Sequence, residues 1–301
     1  MSSGVPVEGG DLKLILVTTL KIDFLKNTRM LKKIYTVCVF LFCTSILSVN
    51  AQQTNLKPLG KKGKLIWKDE FNGSGLPDSS KWGYEEGFIR NNEKQFYTKA
   101  RIENCYEENG NLVIESKKEK FNGADYTSAS INTLGKHSFT GDIRIEVRAK
   151  VPDGKGIWPA IWMMGANTPK VGWPRCGEID IMEFVGHTPN AVWGTLHWWD
   201  STSTQKDKHL SKGSKLLFDD LHTNYHVYGM ERRGNRIQLF VDDHYYFELT
   251  ISPTAFPGTF TGPLYLLLNT AVGGSWGGEI DNSIFPQKFY LDYVRVYRLK
   301  K

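Results

Sequence analysis

Cysteine is scarce in this chain, and its scarcity excludes two architectures at the outset. There are four in 301 residues, and two of them, Cys38 and Cys43, sit inside an apolar N-terminal segment. The remaining pair, Cys105 and Cys176, cannot make a disulfide scaffold or hold a zinc ion by itself. Charge of one sign is also lacking. The formal net charge of +6 falls to about +3 when residues 1–51, with six Lys/Arg and three Asp/Glu, are set aside. So small an excess gives no reason to expect a nucleic-acid partner. There are no heptads, repeats or low-complexity tracts, and no stretch after residue 52 has the period of an amphipathic helix. The longest apolar segment, from Ile34 to Leu47, falls short of the roughly 20 residues of a membrane span.

What is present begins with that segment. "MLKKIYTVCVFLFCTSILSVNAQQ", from Met30, has two lysines, an apolar core and a small-x-small ending at Val49-Asn50-Ala51. It reads as a signal peptide over 30–51, cut after Ala51 to leave Gln52 first. Residues 1–29 would bury its basic start inside the chain, so they read as a mis-called upstream extension; a genuine amphipathic extension is the alternative. Export follows, to a secreted, periplasmic or cell-surface location, with no membrane attachment once the signal is removed. The rest, 52–301, is long enough for one large domain, and 40% hydrophobic and 13% aromatic residues can supply its core.

Strand patterns fill that domain. "LIWKDEF", "GNLVIESKKE", "DIRIEVRAKVP", "IWPAIWMMG", "GEIDIMEFV", "AVWGTLHWW", "NYHVYGMER", "RIQLFVDD", "YYFELTI", "LYLLLNTAV" and "FYLDYVRVYRL" are short apolar or alternating runs between Gly, Asn, Asp and Pro. "RRGNR" and "VDDHY" suit hairpin turns, and "IRIEVRAKV" alternates like a half-solvated antiparallel strand. So many strands point to an all-β, single-domain sandwich of jelly-roll type, two curved antiparallel sheets with a concave cleft. Trp158, Trp162, Trp173, Trp193, Trp198, Trp199 and Trp276 lie near one strand or in Gly-rich loops. Any one of them is more readily core, but Trp276 in "GGSWGG" has few sequence neighbours to pack on and reads as a ligand platform.

The strand they surround is "GEIDIMEF", Gly177–Phe184. Alternation puts Glu178 and Asp180 on one face and Glu183 on the other. The adjacent apolar pair Ile181–Met182 breaks the alternation, as a β-bulge does, and would return Glu183 to the face of the other two acids. Three like charges on one pleat repel, so their placement points to chemistry rather than stability. Glycoside hydrolysis needs two flanking carboxyl groups, one to protonate the leaving oxygen and one to attack or activate water. The spacing leaves retention and inversion both open. Asp180 between them would raise one glutamate's pKa and keep it protonated.

"WPRCGEIDIMEFVG" resembles the active-site strand of glycoside hydrolase family 16, in the bulged form of its laminarinase (endo-β-1,3-glucanase) group. "WKDEFNG", "NNEKQFYT", "GNLVIES", "GIWPAIWMMG", "GTLHW", "LLLNTAVGGSW" and "LDYVRVY" resemble further family blocks in family order. The resemblance implies a β-jelly roll and a retaining mechanism, with Glu178 as nucleophile, Glu183 as acid/base and Asp180 tuning them. It places His197 beside the acids and makes Trp158, Trp162, Trp173 and Trp276 shape the sugar cleft. Asn91, Asn92 and Glu93 match a loop near the non-reducing-end subsites, and Asn269 a polar cleft residue. A structural calcium would fall at Glu70, the Gly110 backbone and Asp292, where oxygen ligands suit the ion; catalysis would need no cofactor. The partner would be a β-glucan polysaccharide and the chain a monomer.

Three departures bear on substrate. "SASI" puts Ser130 where S-A-R-I is usual, "YGMER" puts Arg232 where a tryptophan is common, and Trp193 stands where smaller residues are frequent. A cleft that loses one guanidinium and gains another could turn to mixed-linkage glucan, agar, porphyran or carrageenan. A non-catalytic glucan-recognition protein is the further alternative, but such proteins usually lose one or both glutamates. Cys105 and Cys176 are expected too far apart to bridge.

Overall fold

The alternating stretches form strands in the computed structural model, which describes residues 56–300. The readings of residues 1–29 and 30–51, and the cut after Ala51, lie outside the described residues. The first strands are β1 (Lys61–Asp69), β2 (Gly83–Tyr84), β3 (Gln95–Tyr97), β4 (Cys105–Glu108), β5 (Asn111–Phe121) and β6 (Ala124–Ser128). Next come β7 (Ser130–Asn132), β8 (Ile143–Lys150), β9 (Ile157–Gly165), β10 (Glu178–Glu183), β11 (Ala191–Trp199) and β12 (His209–Leu217). The last are β13 (His226–Arg233), β14 (Arg236–Val241), β15 (His244–Thr250), β16 (Leu264–Val272) and β17 (Gln287–Lys300). Among the described residues helix is confined to single turns, α1 (Thr168–Val171), α2 (Gly274–Gly277) and a 3-10 turn at Asn282–Ile284. None of the described helices is long and apolar enough to cross a membrane.

The strands make two sheets. One has the order β15-β14-β13-β8-β17-β5-β6-β3, with β1 on β17 and β4 on β5; the other runs β12-β11-β10-β9-β16-β7-β2. Pairing is antiparallel except between β3 and β6. Alternate residues of each sheet meet in one core, in which Ile143, Ile145 and Val147 of β8 join Ile161 and Met163 of β9. The "RRGNR" and "VDDHY" turns are present as tight hairpins, with Gly234 and Asp242 at positive φ. Cys105 and Cys176 are free and buried, the first in this core and the second beside Trp162 and Tyr265.

Two features depart from the sequence reading. β12, "HLSKGSKLL", has no alternating apolar pattern because it is an edge strand, where lysines discourage further pairing. The outer face of β8 is less open than its alternation suggests: Glu146 is buried under Arg144 Nε at 2.6 Å and Lys62 Nζ at 3.0 Å.

Arg232 requires a correction of a different kind. It lies on β13 in the larger sheet, fully buried, and brings no guanidinium to a cleft. Its nitrogens donate to the carbonyls of Gly141 (3.0 Å), Phe260 (2.8 Å), Gly262 (2.8 Å) and Phe139 (3.2 Å), tying two loops to the sheet. Burial pulls its pKa down to about 10, so it stays charged at neutral pH. Arg232→Met leaves those carbonyls without donors and should lower unfolding stability by about 2–4 kcal/mol. Urea denaturation should show a lower midpoint at an unchanged slope; a loss below ~0.5 kcal/mol would contradict the anchoring role.

Candidate active site

The bulge inferred from Ile181–Met182 is present. Along β9, Asp180 faces Trp162 and the next paired residue, Met182, faces Ile161, so Ile181 is the extra residue. Along β11 the register jumps from Asp180 opposite Thr195 to Glu183 opposite Trp193. Ile179, Ile181 and Met182 are therefore all buried in the inter-sheet core. Glu178, Asp180 and Glu183 line a single cleft of about 730 Å³ on the other face of the sheet.

The environment separates the acids. The Glu183 carboxyl lines the cleft, and its pKa is raised well above its ordinary value by desolvation first, then by the Asp180 and Glu178 charges. Trp158 Nε1 donates to Glu183 Oε1 at 3.0 Å and pulls the other way. Asp180, 3% exposed, is also raised well above its ordinary value by burial, and then by the charge of Glu178 and a hydrogen bond with it. Desolvation thus outranks the Asp180 charge that the sequence reading put first. By exposure Asp180 is the buried member of the three, and Glu178 and Glu183 are both half-buried at the two ends of the strand.

His197 enters from β11 with Nε2 3.3 Å from Asp180 Oδ2. Glu178, Asp180 and His197 bring one polar atom each within 4.8 Å of the others. His209 of β12 stacks on His197 at 5.2 Å, with its Nε2 3.0 Å from His197 Nδ1. Burial lowers the pKa of both rings, which keeps them neutral beside the acids. Trp173, 45% exposed at the rim, lies 4.7 Å from the His209 ring.

The aromatic residues divide between wall and core. Trp158 meets Trp276 edge-on at 5.5 Å, and Trp276 meets Trp193 at 5.7 Å, forming a wall beside Glu183. Trp276 is therefore not the isolated ring that its glycines suggest, because neighbours distant in sequence hold it. Trp198 faces the core against Phe260. Trp162 Nε1 donates to Asn269 Oδ1 at 2.7 Å, and Asn269 Nδ2 donates to the Tyr97 hydroxyl at 2.9 Å. Asn269 thus fixes Trp162, and both are nearly buried.

The loop before β3 splits its predicted trio. Asn91 and Glu93 line the cleft with the acids, whereas Asn92 lines a neighbouring groove with Phe88 and Tyr126. Asn91 and Asn92 both adopt left-handed φ, of 55° and 53°, a conformation that asparagine tolerates. These turns send successive side chains to different surfaces.

The cation set fares differently. Glu70 accepts from Arg295 Nε at 2.9 Å and Nη2 at 2.7 Å, and Asp292 accepts from Arg148. Each carboxylate already has a guanidinium, so the arrangement as it stands does not fit a calcium ion at Glu70, Gly110 and Asp292.

Glu85, Arg90 and His209 are charged or titratable cleft residues that the sequence does not single out. His209 sits on the unpatterned edge strand. Glu85 and Arg90 are loop residues, and only the charge directly before Asn91–Asn92 could have marked the latter.

Residues 92–295 match the model of the family described as glycosyl hydrolases family 16. A beta-glucanase of Rhodothermus marinus is 42% identical over 250 residues, covering 78% of this chain and 85% of that protein. The solved laminarinase from the same organism superposes with a TM-score of 0.73 at 39% identity, covering 81% of this chain and 100% of that one. LamA of Z. galactanivorans, solved with laminaritriose and laminaritetraose, gives a TM-score of 0.71 at 37% identity over 79% of this chain and 100% of its own. By sequence, by fold and by the bulged acid strand at its centre, the chain belongs to glycosyl hydrolases family 16.

Proposed function

We propose that this glycoside hydrolase is a retaining endo-β-1,3-glucanase that cleaves laminarin-type glucan. One observation carries the reading: the β10 bulge sets Glu178 and Glu183 on one cleft face, with burial favouring the proton on Glu183. The laminarinase relative and the laminari-oligosaccharides bound by LamA support the substrate.

In this scheme Glu183 donates its proton to the glycosidic oxygen as Glu178 attacks the anomeric carbon, forming a glycosyl-enzyme ester and releasing the leaving sugar. Water then attacks the anomeric carbon, gives its proton to Glu183 and breaks the bond to Glu178, which leaves as the free carboxylate. Asp180 keeps its proton directed at Glu178, with neutral His197 behind it. Two glutamates and water balance the reaction, so no cofactor is invoked. The signal-peptide pattern at 30–51 supports export, and we place the enzyme outside the cytoplasmic membrane as a monomer acting on polysaccharide.

A reducing-sugar assay on laminarin, lichenan, agarose and carrageenan should give the highest kcat/KM on laminarin; cleavage of agarose or carrageenan alone would sink the substrate assignment. Glu178→Gln and Glu183→Gln should each abolish hydrolysis without unfolding the protein. Azide should rescue Glu183→Ala with a β-glycosyl azide and Glu178→Ala with the α-azide, and the reverse products would exchange the roles. The alkaline limb of the pH profile should report Glu183, since activity is lost as the acid gives up its proton. Trp158→Phe removes the hydrogen bond that stabilises ionised Glu183, so its pKa should rise and that limb of kcat/KM should move to higher pH. A limb that stays or moves down would show that another group is the acid.

A further inference from the structure

Arg90 is a cleft side chain that is tightly held yet incompletely used. Its Nη2 donates to Glu85 Oε1, and the second Glu85 oxygen accepts from Ser130 Oγ at 2.6 Å. Its guanidinium carbon lies 4.9 Å from the centre of the Trp162 ring, which Asn269 in turn fixes. An ion pair and a ring face thus define the position of the plane. Nη1 is buried and has no hydrogen-bond partner, although Arg90 lines the same cleft as Glu178. The side chain as a whole keeps 22% of its surface open, and a guanidinium held this firmly at the cleft is preorganised for an acceptor that arrives with a ligand.

We propose that Arg90 is a substrate-binding and specificity-determining residue whose guanidinium donates from its open edge to an oxygen of a neutral sugar unit beside the catalytic acids. Glu85 and Ser130 are its positioning residues, and Trp162 is its backing. This changes the meaning of Ser130. The strand position is short because the guanidinium comes from the loop, and the serine hydroxyl steadies the carboxylate that holds it. Trp162, 6% exposed and covered on that face by Arg90, is a support more than a sugar platform.

Charge argues for a neutral ligand. Arg90 is already paired with Glu85 and has Glu93 nearby, while Glu178, Asp180 and Glu183 share the cleft. A sulfate group would meet this carboxyl-rich surface with a single, already balanced cation. A hydroxyl or ring oxygen needs only the free N–H. The inference rests on the reading of the cleft as a glycan-hydrolysing site.

The test is a KM and kcat comparison on whichever polysaccharide of the panel the wild type cleaves, laminarin being expected. Wild-type inactivity on laminarin would count against the proposed substrate alone, because the Arg90 comparison is then made on the polymer that is cleaved. Arg90→Ala should raise KM about ten- to hundredfold, the equivalent of one charge-assisted hydrogen bond, with kcat within about threefold. Arg90→Met, which keeps the stem on Trp162, should behave alike and serves if the alanine variant does not fold. Ser130→Arg added to Arg90→Ala places a guanidinium against the same Glu85 carboxylate and should recover most of the KM. A KM within twofold of wild type in the folded single variants, or a loss confined to kcat, would overturn the assignment. Inhibition of the wild type by carrageenan oligosaccharides that disappears in Arg90→Ala would overturn the neutral-ligand part.

Discussion

One extra residue in β10 is the constraint on which the rest of the site depends. Without the shift at Ile181, Glu183 would point into the core and Glu178 would face the cleft with Asp180 alone. The shift is held from behind, because Ile179, Ile181 and Met182 are all fully buried between the sheets. Exposing any of those side chains to water would forfeit ~1.5–3 kcal/mol of burial, which is more than a slip in register recovers. Core packing therefore fixes where the acids stand, and the acids contribute little to holding themselves there. Burial raises the pKa of both Glu183 and Asp180, and a shift in that direction eases their mutual repulsion by favouring the protonated forms.

Around this strand each functional group is held in place by a second side chain. Trp158 is steadied edge-on by Trp276 and donates to Glu183. Asn269 orients Trp162, Trp162 backs Arg90, and Glu85 with Ser130 completes that clamp. His209 stacks on His197 behind Asp180. Because β7, β9, β10, β11, β12 and β16 are paired neighbours in one sheet, these contacts run mostly across adjacent strands.

How much of this could be read beforehand depended on whether the signal was local. The bulge was legible because an acidic alternation interrupted by two adjacent apolar residues is the mark that one inserted residue leaves on a strand. The strands bearing strong patterns were legible for the same reason, whereas β12 was not, since an edge strand needs no apolar face. Arg232 and Arg90 show the limit from opposite sides. Nothing within a few residues of either says that one caps buried carbonyls while the other reaches the cleft. The family resemblance groups Asn92 with Asn91 and Glu93, whereas two left-handed residues in succession send Asn91 and Asn92 to different surfaces. Trp276 was judged isolated from its glycines, although Trp158 and Trp193, far away in sequence, pack against it. The carboxylates of Glu70 and Asp292 have arginine partners 225 and 144 residues away, a pairing that no local pattern encodes.

The most direct test of the central claim is a titration of the Glu183 carboxyl in the unliganded enzyme. Carbon NMR of protein labelled at glutamate side chains, with Glu183→Gln used to assign the resonance, reads its protonation without relying on rates. If the bulge places this carboxyl in the cleft beside Asp180 and Glu178, its titration midpoint should lie well above that of an ordinary glutamate, about 4.3. A midpoint at the ordinary value would mean that Glu183 is solvated, and that the register of β10 does not create the acid.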